Sequence, residues 1–295
     1  MKDSLVKAIA LGGKVRIYAV KSTELCETAR LQHDCWPTSQ AALGRIMSIG
    51  TIMAAMLKNE DEKIVIQING NGPIGTCMVE CRYNGDVKGF VGDNEIYLKY
   101  NDSNKLAVGL AVGTDGYLKV TKYTGLKNNF TGQVALQSGE IGDDFAYYFT
   151  VSEQTPSAVS VGVLVNTDTS CKAAGGLLIQ ILPDATEEDI QKVEKVVANL
   201  KPVSQLIDEG LTPQDIIKLC FEDAEILEEK SIQWNCDCSK DRFKTALSTI
   251  TSQDLEEMIH EDHGCEVKCE YCNKTYKFNE DDLKLILEFK KSCGK

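Results

Sequence analysis

Four cysteines in two close pairs near the end of the chain constrain this sequence more than any other feature. Cys236 and Cys238 are separated by one residue, Cys269 and Cys272 by two, and 30 residues (239–268) lie between the pairs. Thiolates are soft ligands, and zinc takes four of them in a tetrahedron with Zn–S distances of about 2.3 Å. Two tight turns that each offer two sulfurs can form such a site when the intervening segment folds back.

Close cysteine pairs also occur in structural disulfides and in thioredoxin-type redox motifs, but both are less compatible with this sequence. Structural disulfides are typical of exported proteins, and the N-terminus has no apolar core of signal-peptide length. A thioredoxin-type redox motif places its cysteines at the start of a helix, whereas residues 273–278 predict a short turn into a strand. The pattern therefore favours one zinc ion held by four thiolates in a reduced protein.

Composition excludes some classes of partner. The 295 residues carry a net charge of −12 and a sequence pI near 4.9, which argues against a nucleic-acid binder that neutralises phosphates with clustered lysine and arginine. The most apolar long segment, 41–57, is too short and too polar for a membrane span and predicts a buried helix. The 12 cysteines are spread over the chain, as in proteins of a reducing compartment. We expect a cytoplasmic protein without nucleic-acid or membrane partners.

The first half of the chain is predicted to be rich in strands. Ile64, Ile66 and Ile68 alternate along a strand predicted at 63–69, and Asn84-Gly85 joins two strands in a hairpin. Further strands are predicted at 15–20, 106–112, 118–123, 133–136, 158–165 and 177–182, with a second hairpin turning at Asp115 and Gly116, and helices at 23–33, 39–58 and 143–148. Because the strands cluster instead of alternating with helices, the predicted fold class is α+β: a strand-rich N-terminal core domain with packed helices, a helical linker and a small C-terminal four-cysteine zinc domain.

An acidic segment follows Pro183. Residues 184–230 contain 13 acidic and 5 basic side chains, a net charge of −8. Thr186 and Thr212 each precede a helical pattern as N-caps, and short helices with little core of their own depend on their neighbours for stability. The predicted division is a core domain at 1–183, an acidic helical linker at 184–232 and a zinc-binding domain at 233–295.

The remaining cysteines and histidines have less specific roles. Six cysteines are expected to act as small buried hydrophobic residues: Cys26, Cys35, Cys77, Cys81, Cys171 and Cys220. Cys265, His260 and His263 lie close to the second pair, and we expect a solvated loop there. The sequence leaves open whether they interfere with the zinc site.

Several motifs, taken together, are similar to those of one family. They are Cys-Asp-Cys-Ser-Lys-Asp-Arg-Phe from Cys236, Cys-Glu-Tyr-Cys-Asn-Lys-Thr-Tyr-Lys-Phe from Cys269, Gly72-Pro-Ile-Gly75, Gly89-Phe-Val, Ser152-Glu-Gln154 and the run from Gly175 to Pro183. In this order, and over essentially the whole chain, they resemble the heat-shock protein 33 family, the redox-regulated holdase chaperones.

The resemblance implies a function and a set of site residues. In the reduced, inactive state Cys236, Cys238, Cys269 and Cys272 would ligate zinc. Oxidation would join Cys236 to Cys238 and Cys269 to Cys272, release the metal, and unfold the linker and the zinc domain. Active members dimerise and hold unfolding client proteins without ATP. The resemblance thus implies a stress-response chaperone with no enzymatic activity, acting as a homodimer on client proteins.

Two functions from different classes remain open on the sequence alone. One is a zinc-ribbon module that binds nucleic acid or a partner protein, although basic and acidic residues nearly balance after Cys236. The second is a thiol-disulfide oxidoreductase that uses Cys269 and Cys272. Salt-dependent nucleic-acid binding would support the first, and catalytic turnover of a disulfide substrate would support the second.

Overall fold

The computed structural model describes residues 2–103, 105–125 and 129–293, with side chains up to residue 291. The chain forms two compact units, Met1–Asn235 and Cys236–Lys295. Within the described residues there are thirteen strands and ten helices, so the predicted α+β class is confirmed. In that same part of the chain, no helix is both long and apolar enough to cross a membrane.

The first unit contains eleven strands and seven helices among its described residues. In chain order they are β1 (Ser4–Ala10), β2 (Val15–Lys21), α1 (Thr23–His33), α2 (Pro37–Ala54), β3 (Lys63–Asn69), β4 (Cys77–Arg82), β5 (Asp86–Val91), α3 (Val108–Val112), β6 (Tyr117–Tyr123), β7 (Phe130–Ala135), α4 (Gly142–Val151), β8 (Ser157–Val165), β9 (Cys171–Ile181), α5 (Glu187–Asn199), α6 (Val203–Asp208), α7 (Pro213–Cys220), β10 (Glu225–Ser231) and β11 (Gln233–Trp234).

These strands form two sheets, one of five strands in the order β10-β1-β2-β9-β8 and one of six in the order β11-β5-β4-β3-β6-β7. All neighbours pair antiparallel except β11, which runs parallel to β5. The predicted alternation in β3 is confirmed, since Ile64, Ile66 and Ile68 are fully buried while the residues between them are half-buried. A sheet with one face on a core shows this pattern.

Helix α2 contacts strands of both sheets and is the centre of the main core. Sixteen of its eighteen residues are buried, which confirms a helix packed on several sides. Two glycines permit this close packing. A Cβ atom on Gly50 would lie 2.8 Å from the Cys81 sulfur, and one on Gly44 would lie 2.8 Å from the Cys26 sulfur. Both distances are shorter than van der Waals contact, so larger residues would force strand β4, which carries Cys81, and helix α1, which carries Cys26, away from α2.

The acidic segment packs on the other face of the five-stranded sheet. Apolar residues of α6 and α7, among them Leu206, Ile216 and Ile217, form a second core with Ile17 and Leu177 of the sheet. Both predicted N-caps are present as capping boxes. Thr186 accepts from the backbone N–H of Asp189, and Thr212 accepts from that of Asp215. Helix α6 was not predicted.

The segment ends in extended structure that reaches both sheets. β10 pairs with β1, with Ser231 opposite Ser4. β11 then pairs with β5, and the Asp86 carboxylate accepts hydrogen bonds of 2.9 Å from the side-chain amides of Gln233 and Asn235. Residues 225–234 therefore border one sheet and then the other. The predicted helical linker thus includes a strand that its glutamate-rich sequence does not indicate.

Two predictions in the core were wrong. Residues 106–112 do not form a strand, because Val108–Val112 is helix α3, which buries Val108, Ala111 and Val112 and exposes Leu110. The second hairpin around Asp115 is therefore absent, and this turn connects α3 to β6. A short apolar run has the same composition in a buried helix as in a buried strand, so periodicity does not separate them.

The second unit has its own small core. Its elements are α8 (Lys240–Leu247), α9 (Ser252–His260), β12 (Gly264–Lys268), β13 (Thr275–Asn279) and α10 (Glu280–Cys293). β12 and β13 form an antiparallel hairpin, which confirms the strand predicted after Cys272. The buried residues of this core are Leu255, Ile259, Phe278, Leu283, Ile286 and Leu287. α8 contributes no buried residue to it.

Candidate metal centre

The sulfur atoms of Cys236, Cys238, Cys269 and Cys272 all lie within 4.8 Å of one another. Cys236 Sγ is 3.8 Å from Cys269 Sγ, and Cys238 Sγ is 3.2 Å from Cys272 Sγ. The two sequence pairs are thus brought together, with each short contact joining one pair to the other. This arrangement of four sulfurs can hold a single metal ion.

The second pair is positioned by the turn between β12 and β13. The backbone N–H groups of Cys272 and Asn273 both donate to the carbonyl of Cys269, over 3.3 and 2.7 Å, and Cys269 N donates to Lys274 O. Asn273 has φ = 58°, a left-handed conformation that asparagine adopts more readily than most residues. The turn therefore points both sulfurs to the same side.

The first pair lies in an extended segment held by the start of α8. Ser239 caps this helix by accepting from Arg242 N. The Arg242 guanidinium contacts Asp237 twice. It donates a hydrogen bond of 3.1 Å to the Asp237 backbone carbonyl and forms an ion pair of 2.6 Å with the Asp237 carboxylate. The residue between the two cysteines is thereby fixed, which sets the direction of Cys236 and Cys238.

Tyr276 on β13 contacts the first pair directly. Its hydroxyl oxygen lies 3.2 Å from Cys238 Sγ and donates to Cys238 O over 3.0 Å. Its ring packs against Phe243 of α8, with centroids 5.1 Å apart. The hydroxyl is therefore part of the immediate surroundings of the sulfurs.

Burial differs between the two pairs. Cys269 and Cys272 are buried, whereas Cys236 and Cys238 are half-buried. Burial raises the pKa of the Cys236 thiol and that of the Cys272 thiol. Burial also opposes ionisation of Cys238, but hydrogen bonds from Tyr276 and from the neighbouring thiols outweigh it and lower the pKa of Cys238 to about 7. The group therefore contains a sulfur that ionises near neutral pH.

The nearby residues that the sequence placed in a solvated loop have defined positions outside the sulfur group. Cys265 lies in β12 opposite Phe278 and packs on the small core, so the loop prediction was wrong for this residue. The loop prediction was wrong for His260 as well, since it is the exposed last residue of α9, whereas His263 lies in the following turn, 2.9 Å from the Glu280 carboxylate. The described group of four ligand atoms includes none of them.

The six cysteines of the first unit are all buried, as predicted. Sequence reasoning missed two residues of the site, Arg242 and Tyr276. Both belong to the two cysteine motifs, and Arg242 lies four residues after Cys238, as Tyr276 does after Cys272. Their contacts depend on how α8 and the hairpin fold back, which the spacing does not show.

Comparisons with known proteins agree on one family. The family model described as "Hsp33 protein" matches residues 3–279. A 33 kDa chaperonin of Staphylococcus carnosus is 44% identical over 289 residues, covering 97% of this chain and 98% of its own. A 33 kDa chaperonin of Bacillus cytotoxicus is 45% identical over 290 residues, covering 98% and 99%.

A solved structure gives the same result. The crystal structure of the 33 kDa chaperonin, a heat shock protein 33 homolog, of Thermotoga maritima matches with a TM-score of 0.88 and 34% identity. The match covers 99% of this chain and 100% of that one. The sequence motifs, the fold and the four-cysteine group thus point the same way, and the chain belongs to the Hsp33 family.

Proposed function

We propose that this chain is a redox-regulated, ATP-independent chaperone that holds unfolding proteins under oxidative stress in the cytoplasm. The observation that carries the proposal is the four-sulfur group, since it occurs in a member of the Hsp33 family whose relatives are named chaperonins. The family supports a chaperone function and the binding of client proteins. We also propose that the chain is not an enzyme.

In the reduced, inactive state Cys236, Cys238, Cys269 and Cys272 would hold one zinc ion. Four sulfurs at about 2.3 Å from a common centre lie about 3.8 Å from one another, close to the separations of 3.8 and 3.2 Å found here. A donor set made only of thiols suits zinc better than magnesium or calcium. Bound zinc would link the segment before α8 to the hairpin, and such sites contribute about 10–16 kcal/mol in small modules.

Oxidation would replace this metal site by two disulfides. A thiolate attacks peroxide, so an S–O bond forms while the O–O bond breaks and hydroxide leaves; the sulfur is oxidised to a sulfenic acid. A second thiolate then attacks that sulfur, which forms the S–S bond and displaces another hydroxide. We propose the pairs Cys236–Cys238 and Cys269–Cys272. Sulfurs in a disulfide are no longer thiolate ligands, so the zinc would leave.

Loss of the metal would open the second unit at α8, because this helix has no fully buried residue and packs on the small core through the half-buried Phe243 and Leu247. The acidic segment 184–232 would open with it. Its helices cover apolar residues of the five-stranded sheet, including Ile17, Leu177 and Ile179. Exposure of such a surface gives a binding site for unfolding chains and a surface through which two copies can dimerise.

The test compares reduced, zinc-loaded protein with protein treated with peroxide at mild heat, using a thermally unfolding client whose aggregation is followed by light scattering. Zinc content and free thiols are measured on the same samples. The reduced form should carry one zinc and 12 thiols and leave aggregation unchanged. The oxidised form should carry no zinc, eight thiols and two disulfides, and should suppress aggregation.

Equal activity of the two forms would contradict the redox control, and an air-free preparation without bound metal would contradict the zinc site. The same samples test the alternatives. Catalytic turnover of a disulfide substrate by the reduced protein would instead support an oxidoreductase. Salt-dependent binding of DNA or RNA would support a nucleic-acid-binding zinc ribbon.

A further inference from the structure

The turn between β4 and β5, residues 83–86, contacts the stretch of chain that leads into the first cysteine pair. This stretch, residues 230–235, contains the end of β10 and all of β11, and we call it the closing stretch. The β11 ladder joins two residue pairs, Gln233 with Asp86 and Trp234 with Val87. Strands in folded proteins are normally longer than this, so side-chain contacts must contribute to holding the closing stretch in place.

Asp86 provides the largest group of these contacts. One oxygen of its carboxylate accepts from Gln233 Nε2, and the other accepts from Asn235 Nδ2 and Asn84 Nδ2, each over 2.9 Å. Burial alone would raise the pKa of Asp86, but the three amide hydrogen bonds outweigh it and lower this pKa. The acceptor is therefore a carboxylate at neutral pH, and hydrogen bonds to an ionised group are stronger than those between neutral groups.

Two other residues of the turn contact the beginning of the closing stretch. Gly85 has φ = 93°, and a Cβ atom there would clash with the backbone carbonyl oxygen of Ser231, so glycine lets the two backbones pass closely. Lys230 Nζ lies 3.5 Å from the centroid of the Tyr83 ring and donates to Tyr83 O over 2.7 Å. The turn therefore holds the closing stretch at both of its ends.

We infer that the β4–β5 turn is an autoinhibitory latch, which holds the closing stretch on the six-stranded sheet and keeps the acidic segment closed in the reduced, zinc-loaded chain. This inference rests on the proposed function, in which opening of the acidic segment activates the chaperone. Asn235 directly precedes Cys236, so the latch lies where the acidic segment meets the four-sulfur group along the chain. Without the latch, the acidic segment would lose its anchor at this end while the cysteines stay reduced.

A pair of substitutions can break this contact and then restore it. Gln233→Glu places a second carboxylate against that of Asp86, so a hydrogen bond is replaced by the repulsion of two like charges. Asp86→Asn alone should have little effect, because the Gln233 amide can turn and accept from the new amide while Asn235 keeps an acceptor. In the double variant Asp86→Asn, Gln233→Glu, the amide introduced at position 86 donates to the carboxylate introduced at position 233.

The experiment uses the full, reduced, zinc-loaded chain and follows amide hydrogen exchange in residues 225–234 by mass spectrometry. Exchange should be about three- to tenfold faster in Gln233→Glu, and within about twofold of the parent in Asp86→Asn and in the double variant. Gln191→Glu is the matched control, since it adds the same charge at an exposed position of α5 in the acidic segment, and it should leave exchange unchanged. Every variant should keep one zinc and 12 free thiols.

The same samples are mixed, without peroxide, with a thermally unfolding client. Gln233→Glu should suppress its aggregation, whereas the parent, the double variant and Gln191→Glu should not. Faster exchange in Gln233→Glu with no such suppression, when the oxidised parent is active, would overturn the inhibitory role of the turn.

The exchange rates test the latch separately from the proposed function. Equal rates in the parent and Gln233→Glu, or no recovery in the double variant, would overturn the latch. Loss of zinc from Gln233→Glu would also overturn it, because the opening would then follow from the metal centre. If the oxidised parent failed to suppress aggregation, the proposed function would fail, and the exchange rates would still decide whether the turn holds the closing stretch.

Discussion

The indole of Trp234 packs edge-on against the imidazole of His33, with ring centroids 5.9 Å apart and planes inclined at 69°. Trp234 lies on β11, two residues before Cys236, and contacts the main core of the first unit. The residue that leads into the first cysteine pair is therefore fixed to helix α1. The fluorescence of Trp234 should therefore show whether β11 is still paired with β5.

Trp234 should serve as a fluorescent reporter in the variant Trp36→Phe. The chain has two tryptophans, and Trp36 is already 48% exposed. Oxidation with release of β11 should shift the emission of Trp234 to longer wavelength, because the indole moves from an apolar contact into water. The matched variant Trp234→Phe, which retains only Trp36, should change little. Unchanged Trp234 emission after complete oxidation would show that β11 stays bound.

Cys265 is expected to be dispensable for metal binding. It lies on β12 and packs on the small core, outside the four-sulfur group. Cys265→Ser should keep one zinc per chain and lose about 1 kcal/mol of stability or less, since a half-buried thiol is replaced by a hydroxyl. Cys269→Ser is the comparison and should lose the metal. Metal analysis of both purified variants decides the matter, and a zinc-free Cys265→Ser protein would place this residue in the site.

Asp3 should make the first unit less stable as pH rises through the weakly acidic range. Its carboxylate accepts from Leu25 N in the first turn of α1, and burial raises its pKa to about 6 from an ordinary 3.8. Between pH 3.8 and about 6 the folded chain keeps a proton that the unfolded chain has released. The free energy of unfolding therefore falls as the pH rises. Above pH 6 the free energy of unfolding is lower by about 3 kcal/mol, because the pKa of Asp3 is higher by about 2 in the folded chain.

Asp3→Asn removes this titration and keeps an oxygen that can accept from Leu25 N. Its stability relative to the parent should therefore rise by about 2–3 kcal/mol between pH 3.5 and pH 7. Urea unfolding of both proteins across this range measures the difference, in which the titration of all remaining groups cancels. A difference that does not vary with pH would show that Asp3 is not shifted.

Thr212 should control how readily helix α7 opens. Its hydroxyl accepts from Asp215 N while the Asp215 carboxylate accepts from Thr212 N over 2.9 Å. Loss of such an N-cap costs about 1 kcal/mol, so Thr212→Ala should speed amide hydrogen exchange in Pro213–Cys220 by about fivefold. Thr150→Ala, at an exposed site late in α4, is the control and should leave α7 unchanged. Equal exchange in α7 for both variants would refute a controlling role.

Elements with a strong local signal were predicted from the sequence. Helix α1 has its predicted bounds, and β3 shows the alternation of Ile64, Ile66 and Ile68. The capping boxes at Thr186 and Thr212 also formed as their spacing indicates. In each case the residues that determine the element lie within a few positions of one another.

Elements that depend on distant partners were not predicted. β10 is the clearest example, because its glutamates and lysine have low strand propensity and its ladder exists only through pairing with β1. β1 was likewise missed, although it is paired on both sides. At the site, the spacing of the cysteines identified all four members of the sulfur group. The contacts of Arg242 and Tyr276 could not be predicted, because they form only when α8 folds against the hairpin.

The stretch 225–234 forms an edge strand on the five-stranded sheet and then on the six-stranded sheet. The β10 ladder joins six residue pairs and the β11 ladder joins two, so β11 should come away first. Its release would bare backbone donors and acceptors on β5, and the later release of β10 would bare those on β1. Two unequal ladders in one stretch therefore allow a first, small opening at the six-stranded sheet before the five-stranded sheet loses its edge strand.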